Sequence, residues 1–111
     1  MKSECIMTMR KVTAIFRKSM LEQVEEALRK NGIHGFSITA VQGCGEYMNF
    51  YSKDLTTNHA RIEIFVAMDK AEDIADTIMR AAHIDQPGDG IVAILPVEKL
   101  YHIRTKSEAV D

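Results

Sequence analysis

The chain reads as an α+β fold, a ferredoxin-like βαββαβ sandwich of two helices on a four-stranded antiparallel sheet. Short stretches that alternate apolar and polar residues mark strands. Two longer stretches repeat apolar residues at helical spacing. Their order along the chain, β-α-β-β-α-β, completes the pattern. Arg10 to Phe16 opens it, with Val12, Ala14 and Phe16 alternating. Ser19 followed by Glu22 has the form of a capping box, and Leu21, Val24, Ala27 and Leu28 then share one helical face. Asn31-Gly32 stops that helix, because glycine accepts the left-handed conformation of a helix C-terminus.

Phe36 to Gln42 alternates again and reads as the second strand. Gly43 to His59 is polar, and its length marks a functional loop rather than a tight hairpin. Ala60 to Ala67 is the third strand, with Ile62, Ile64 and Val66 on one face. Asp69 and Glu72 are placed to cap a second helix that runs to about Ala82, with Ala71, Ile74, Ala75, Ile78, Met79 and Ala82 as its apolar positions. His83 to Asp89 forms a loop and Ile91 to Leu95 the last strand. Phe16, Ile64 and Phe65 put apolar side chains on both faces of the sheet. The face without helices is therefore expected to meet a neighbouring subunit.

At 111 residues the chain fits a single domain, residues 9–111, preceded by an aperiodic tail, residues 1–8. A formal net charge of -2 argues against a nucleic-acid partner recruited by overall charge. The longest apolar runs fall far short of the ~20 residues of a membrane helix, and the first residues lack the apolar core of a signal peptide. Cys5 and Cys44 do not make a disulfide framework. A cytoplasmic protein with reduced thiols is the expectation.

Gly88-Asp89-Gly90 is the strongest chemical signal. Two glycines free the backbone around Asp89 to aim N–H groups at one anion, such as a phosphate, directly before a buried-type strand. Arg104, in the closing segment, offers a fixed fork of donors to the same ligand. Asp89 is also an ordinary turn residue. No set of nucleophile, base and orienting group stands out, so the sequence does not read as an enzyme. His34, His59, His83 and His102 lack metal-ligand spacing, and no tightly bound metal is expected.

Taken together and in order, several stretches resemble the PII signal-transduction family (nitrogen regulatory protein P-II). They are Met9 to Ile15; Leu21 to Leu28; Gly32-Ile33-His34-Gly35-Phe36-Ser37-Ile38-Thr39; Val41-Gln42-Gly43-Cys44-Gly45; Arg61 to Ile64; and Gly88-Asp89-Gly90 through Leu95-Pro96-Val97-Glu98 to Arg104-Thr105. The resemblance covers Met9 to Thr105. It implies a homotrimer with an adenine nucleotide in each cleft between subunits, and a flexible arm, the T-loop, that contacts partner proteins. It further implies that Gly88, Asp89 and Gly90 cradle the phosphates, with His102 and Arg104 reaching in from the neighbouring C-terminal segment. Ser37 stands where the family places a hydroxyl near the adenine, within the stretch that includes Gly35. Ile15 and Phe65 match positions that wall the base, and Gly43, Cys44 and Gly45 match the turn at the base of the arm. Glu46, Tyr47, Phe50, Tyr51 and Ser52 fall in the arm. Phe50 beside Tyr51 gives it an apolar tip suited to docking.

The departures from the family pattern are specific. Its Gly-x-Gly-Arg-Gln turn reads Gly43-Cys44-Gly45-Glu46-Tyr47, so the glutamine that helps hold magnesium and 2-oxoglutarate is absent. Ile91 replaces the lysine after Gly-Asp-Gly, His102 replaces the first arginine of Arg-x-Arg, and the arm is several residues short. Positive charge and metal ligation are lost where a γ-phosphate needs them. The resemblance thus implies ADP or AMP in preference to Mg-ATP, and a membrane transporter or metabolic enzyme as partner. Ile91-Val92, Leu100-Tyr101 and Arg104-Thr105 are similar to PII-like proteins tied to inorganic carbon transport, which makes bicarbonate a candidate second effector. A metal-binding trimeric scaffold of similar fold, without nucleotide response, is the competing expectation.

Overall fold

The computed structural model describes residues 8–42, 58–86 and 88–109. Strand β1 spans Met9–Arg17, helix α1 Leu21–Lys30, strand β2 Ser37–Gln42 and strand β3 Asn58–Ala67. Helix α2 spans Ala71–Ala82, strand β4 Gly90–Val97, and a small hairpin pairs β5, Tyr101–His102, with β6, Ser107–Glu108. The main sheet has the order β2-β3-β1-β4, with every pair antiparallel. This is the expected ferredoxin-like arrangement.

Register assigns the faces. Val12 stands opposite Ile64 and Ile94, and Ala14 opposite Ile62 and Val92. These residues, with Phe16, Ala60 and Val66, form the face that receives the helices. Val24 and Leu28 of α1 and Ala71, Ile74, Ala75, Ile78 and Ala82 of α2 bury against it. Helical and strand periods thus converge on one apolar layer. The opposite, open face carries Lys11, Thr13 and Ile15 of β1 beside Phe65, Glu63 and Arg61 of β3. Phe65, Ile91 and Leu95 remain 48%, 47% and 40% exposed there, which agrees with the apolar character read for this face.

Both helices begin differently from the sequence reading. Ser19 and Asp69 do not cap them. A 3₁₀ turn, Lys18–Met20, leads into α1, and a second, Met68–Lys70, leads into α2. The residues at the N-cap positions are Met20 and Lys70, neither of which makes a side-chain capping bond. The physical reason is that each 3₁₀ turn already feeds the first helical N–H groups: Leu21 donates to Lys18 and Ala71 to Met68. Glu22 and Glu72 still lie in the first turns, where the helix dipole favours them. Met79, read as a core position, is 51% exposed because it falls at the edge of the apolar stripe of α2.

The stop at Asn31-Gly32 is as expected. Ile33 donates to Leu28 at 2.9 Å and Gly32 to Arg29 at 3.0 Å, the paired bonds of a Schellman motif, with Gly32 at φ +83°. Thr8, counted with the tail, accepts a bond from the Met68 N–H at 2.8 Å; residues 1–7 lie outside the described residues. Strand β3 starts at Asn58, so His59 belongs to the sheet and not to the preceding loop. Residues 43–57 of that loop lie outside the described residues, and with them Gly43, Cys44, Gly45, Glu46, Tyr47, Phe50, Tyr51 and Ser52.

Candidate functional site

The candidate site is built where α2 hands over to β4. The helix ends at Ala82, and His83 turns the chain into extended backbone. Asp85 then takes a positive φ of 61°, and Gly88 and Gly90 take 100° and 111°. Gly90 has no alternative. A Cβ there would lie 1.8 Å from the carbonyl oxygen of Ile15 on the paired strand. Only glycine lets β4 start this close to β1.

Asp89 organises the turn. Its Oδ2 accepts the N–H groups of Ile84, Asp85 and Gln86 at 3.3, 2.9 and 3.4 Å, while its own N–H donates to the Gln86 carbonyl at 3.2 Å. Arg17, at the end of β1, lies 3.7 Å from Oδ1 in an ion pair. Burial pushes the Asp89 carboxyl up. The three backbone donors and the charge of His83 outweigh burial, and its pKa ends below the usual carboxylate value. The first N–H nest of the loop is therefore filled by a carboxylate of the chain itself.

Ile15, Asp89 and Gly90 line one cavity of about 350 Å³, together with Phe16, Ile78, Ala82 and Val92. Its apolar floor and polar rim suit a small organic anion, and its size falls within the ~300–1,000 Å³ of small-molecule sites. A second cavity of about 270 Å³ opens on the sheet's open face, lined by Lys11, Thr13, Ile15, Arg61, Glu63 and Ile91 among others. Ile15 and Ile91 line both. Across the second cavity Lys11 pairs with Glu63 at 3.0 Å, and the Arg61 Nε is buried without a hydrogen-bond partner among the described residues.

The structure thus brings Ile15, Asp89 and Gly90 together, with buried Gly88 beside them. Ser37 stands on the open face opposite Glu63, Phe65 stands on it opposite Lys11, and Gly35 lies in the turn before β2. His102 and Arg104 are exposed on the C-terminal hairpin, which Lys106 and Ala109 close by bonds to His102 and Leu100. Two residues not singled out as loop partners complete the corner. Arg17 meets Asp89, and His59 places Nε2 3.4 Å from the Gly88 oxygen. The signal for His59 was available. Extending the alternation of Arg61, Glu63 and Phe65 back by two residues puts it on the strand. Among the described residues, no group of three His, Cys, Asp or Glu side chains is arranged to hold a metal, and no helix is long and apolar enough to cross a membrane.

Comparison with known proteins agrees with this architecture. A family model described as nitrogen regulatory protein P-II matches residues 9–107. A nitrogen regulatory protein P-II from Cereibacter sphaeroides is 33% identical over 93% of this chain and 98% of its own length. Another from Pyropia yezoensis is 35% identical over 87% of this chain and 93% of its own. The crystal structure of Arabidopsis thaliana PII bound to citrate superposes with a TM-score of 0.78 at 31% identity, covering 92% of this chain and 89% of that one. PII proteins are signalling regulators that bind adenine nucleotides, form trimers and act on partner proteins. With the ferredoxin-like fold, the glycine loop and full-length matches in agreement, this chain belongs to the nitrogen regulatory protein P-II family.

Proposed function

We propose that this chain is a homotrimeric, non-enzymatic regulator that binds ADP or AMP in preference to Mg-ATP in clefts between its subunits. It controls a partner protein, a membrane transporter or metabolic enzyme, through its T-loop. It works in the cytoplasm and reaches the membrane through a transporter partner. The observation that carries the reading is the junction of Gly90 with Ile15: the loop read as the phosphate cradle and the residue read as a wall of the base line the same cavity. Exposed Phe65, Ile91 and Leu95 on the open face, and Ile103 at 93% exposure on the hairpin, support burial by neighbouring copies. The preference for ADP or AMP rests on Ile91 at the start of β4, where a lysine would meet the γ-phosphate, and on His102 in place of an arginine. Gly35, Ser37, Gly43, Cys44, Gly45, Phe65, His102 and Arg104 complete the proposed nucleotide site, with Glu46, Tyr47, Phe50, Tyr51 and Ser52 in the partner-contacting arm.

A small anion acts as second effector in this reading. Bicarbonate, with an inorganic carbon transporter as partner, is the form that the C-terminal resemblance favours, and the citrate held by the Arabidopsis relative supports a small carboxylate-type ligand. The test is calorimetry and thermal shift with AMP, ADP, ATP and cyclic AMP, each with and without Mg²⁺, 2-oxoglutarate and bicarbonate, alongside light scattering for mass. Stabilisation by ADP or AMP, no added effect of 2-oxoglutarate on ATP, and a trimeric mass are expected. Strong synergy of Mg-ATP with 2-oxoglutarate would overturn the preference. Silence to every nucleotide would leave a trimeric scaffold or metal binder.

A further inference from the structure

The peptide unit joining Gly88 to Asp89 is held at both ends. Its N–H donates to the Gln86 carbonyl at 3.2 Å, and its oxygen lies 3.4 Å from His59 Nε2. A carbonyl only accepts, so Nε2 carries a proton in this contact. His59 is 2% exposed and stands opposite Arg17 in the β1–β3 register. An oxygen aimed at it is aimed into the protein. Glycine at 88, with φ +100°, places little steric limit on the facing of this peptide. Turned the other way, the same unit would present its negative end to the solvent side of the loop, where an anion would bind.

We propose that His59 is a positioning residue for phosphate recognition. It fixes the Gly88–Asp89 peptide with its oxygen inward, so that the outer side of the loop meets a phosphate without a carbonyl in the way. This rests on the reading of the loop as a phosphate cradle. It assigns to His59 a role in ligand discrimination that depends on its N–H and not on its charge. Asp89 holds the other side of the same turn, through Ile84, Asp85 and Gln86. The two contacts leave the loop preorganised before a ligand arrives.

The experiment compares ADP with adenosine, which lacks phosphates, on the full chain and on His59→Leu and His59→Gln, each checked for cooperative unfolding. His59→Leu is expected to weaken ADP about tenfold while leaving adenosine within about twofold. His59→Gln, which keeps a side-chain N–H donor, is expected to recover most of the ADP affinity. Amide exchange at Asp89 in the unliganded protein supplies a readout independent of binding, faster in His59→Leu and restored in His59→Gln. Equal losses for ADP and adenosine, or unchanged ADP affinity in His59→Leu, would overturn the proposal. An unmutated chain that binds ADP no better than adenosine would instead remove the phosphate reading and this role with it, even where Asp89 exchange follows the substitutions.

Discussion

The N-terminal half runs from β1 through a 3₁₀ turn and α1 to β2, and the C-terminal half runs from β3 through a 3₁₀ turn and α2 to β4. The two differ where the helix returns to the strand. Helix α1 ends on its own backbone, with Gly32 and Ile33 bonded to Arg29 and Leu28. After α2 the equivalent N–H groups go to a side chain, the Asp89 carboxylate, and two further glycines at positive φ complete the turn. The first return satisfies itself and is structurally closed. The second depends on a charge and on close backbone contact, and it borders the cavity. The chain invests conformational constraint where a ligand is expected and uses a generic stop where none is.

Glycine substitutions break this comparison most sharply. Gly90→Ala forces a Cβ into the Ile15 carbonyl, a backbone atom that cannot swing aside. It is expected to cost about 4 kcal/mol or more in denaturant unfolding, with loss of nucleotide response in whatever folds. Asp89→Ala comes next. It removes the acceptor for three N–H groups at the exposed surface, and a cost of about 1–2 kcal/mol is expected from the same assay. Its pH signature is specific. The folded pKa of Asp89 is lowered, so its contribution is present above the unfolded value of about 4 and is lost as pH falls through the folded value. The variant should flatten the stability–pH curve in that acid window and run below the parent curve, with the same slope, near neutrality.

The smallest effects test the closed half. Gly32→Ala meets open space but keeps a left-handed φ, and a cost of about 1 kcal/mol is expected. Gly35→Ala, which meets open space without a positive φ, is expected to be nearly neutral. A large loss at Gly35 would mean that this turn is constrained by something outside the single chain, such as a neighbouring subunit.

Much of this was legible in the sequence. Alternation located β1, β2 and β3, the apolar run Ile91 to Leu95 located β4, and Asn31-Gly32 marked the end of α1, because each signal is carried by a few local residues; the run was read as a buried-type strand, but Ile91 and Leu95 lie exposed on the open face. The helix starts were misread because Ser19 and Asp69 have the chemistry of caps, while the preceding 3₁₀ turns meet the same need through backbone alone. The β5–β6 hairpin was invisible, since strands of two residues have no period to read. In the site, Asp89 announced itself as a turn residue between glycines. His59 and Arg17 did not announce their roles, because those arise from contacts with the loop before β4, at Gly88 and Asp89, far along the chain from either residue.

The register of β1 has a consequence for how the chain is made. Strand β1 leaves the ribosome first, yet it pairs with β3 and β4 and not with the nearer β2: Met9 waits for Ala67 on one side and Val97 on the other. Until β3 has been made, Val12, Ala14, Ile15 and Phe16 have no strand to join, and their second partner, β4, comes later still. The nascent protein therefore carries an unpaired apolar strand until Ala67 and a half-paired one until Val97, the period when high contact order leaves a chain most dependent on chaperones and most open to aggregation.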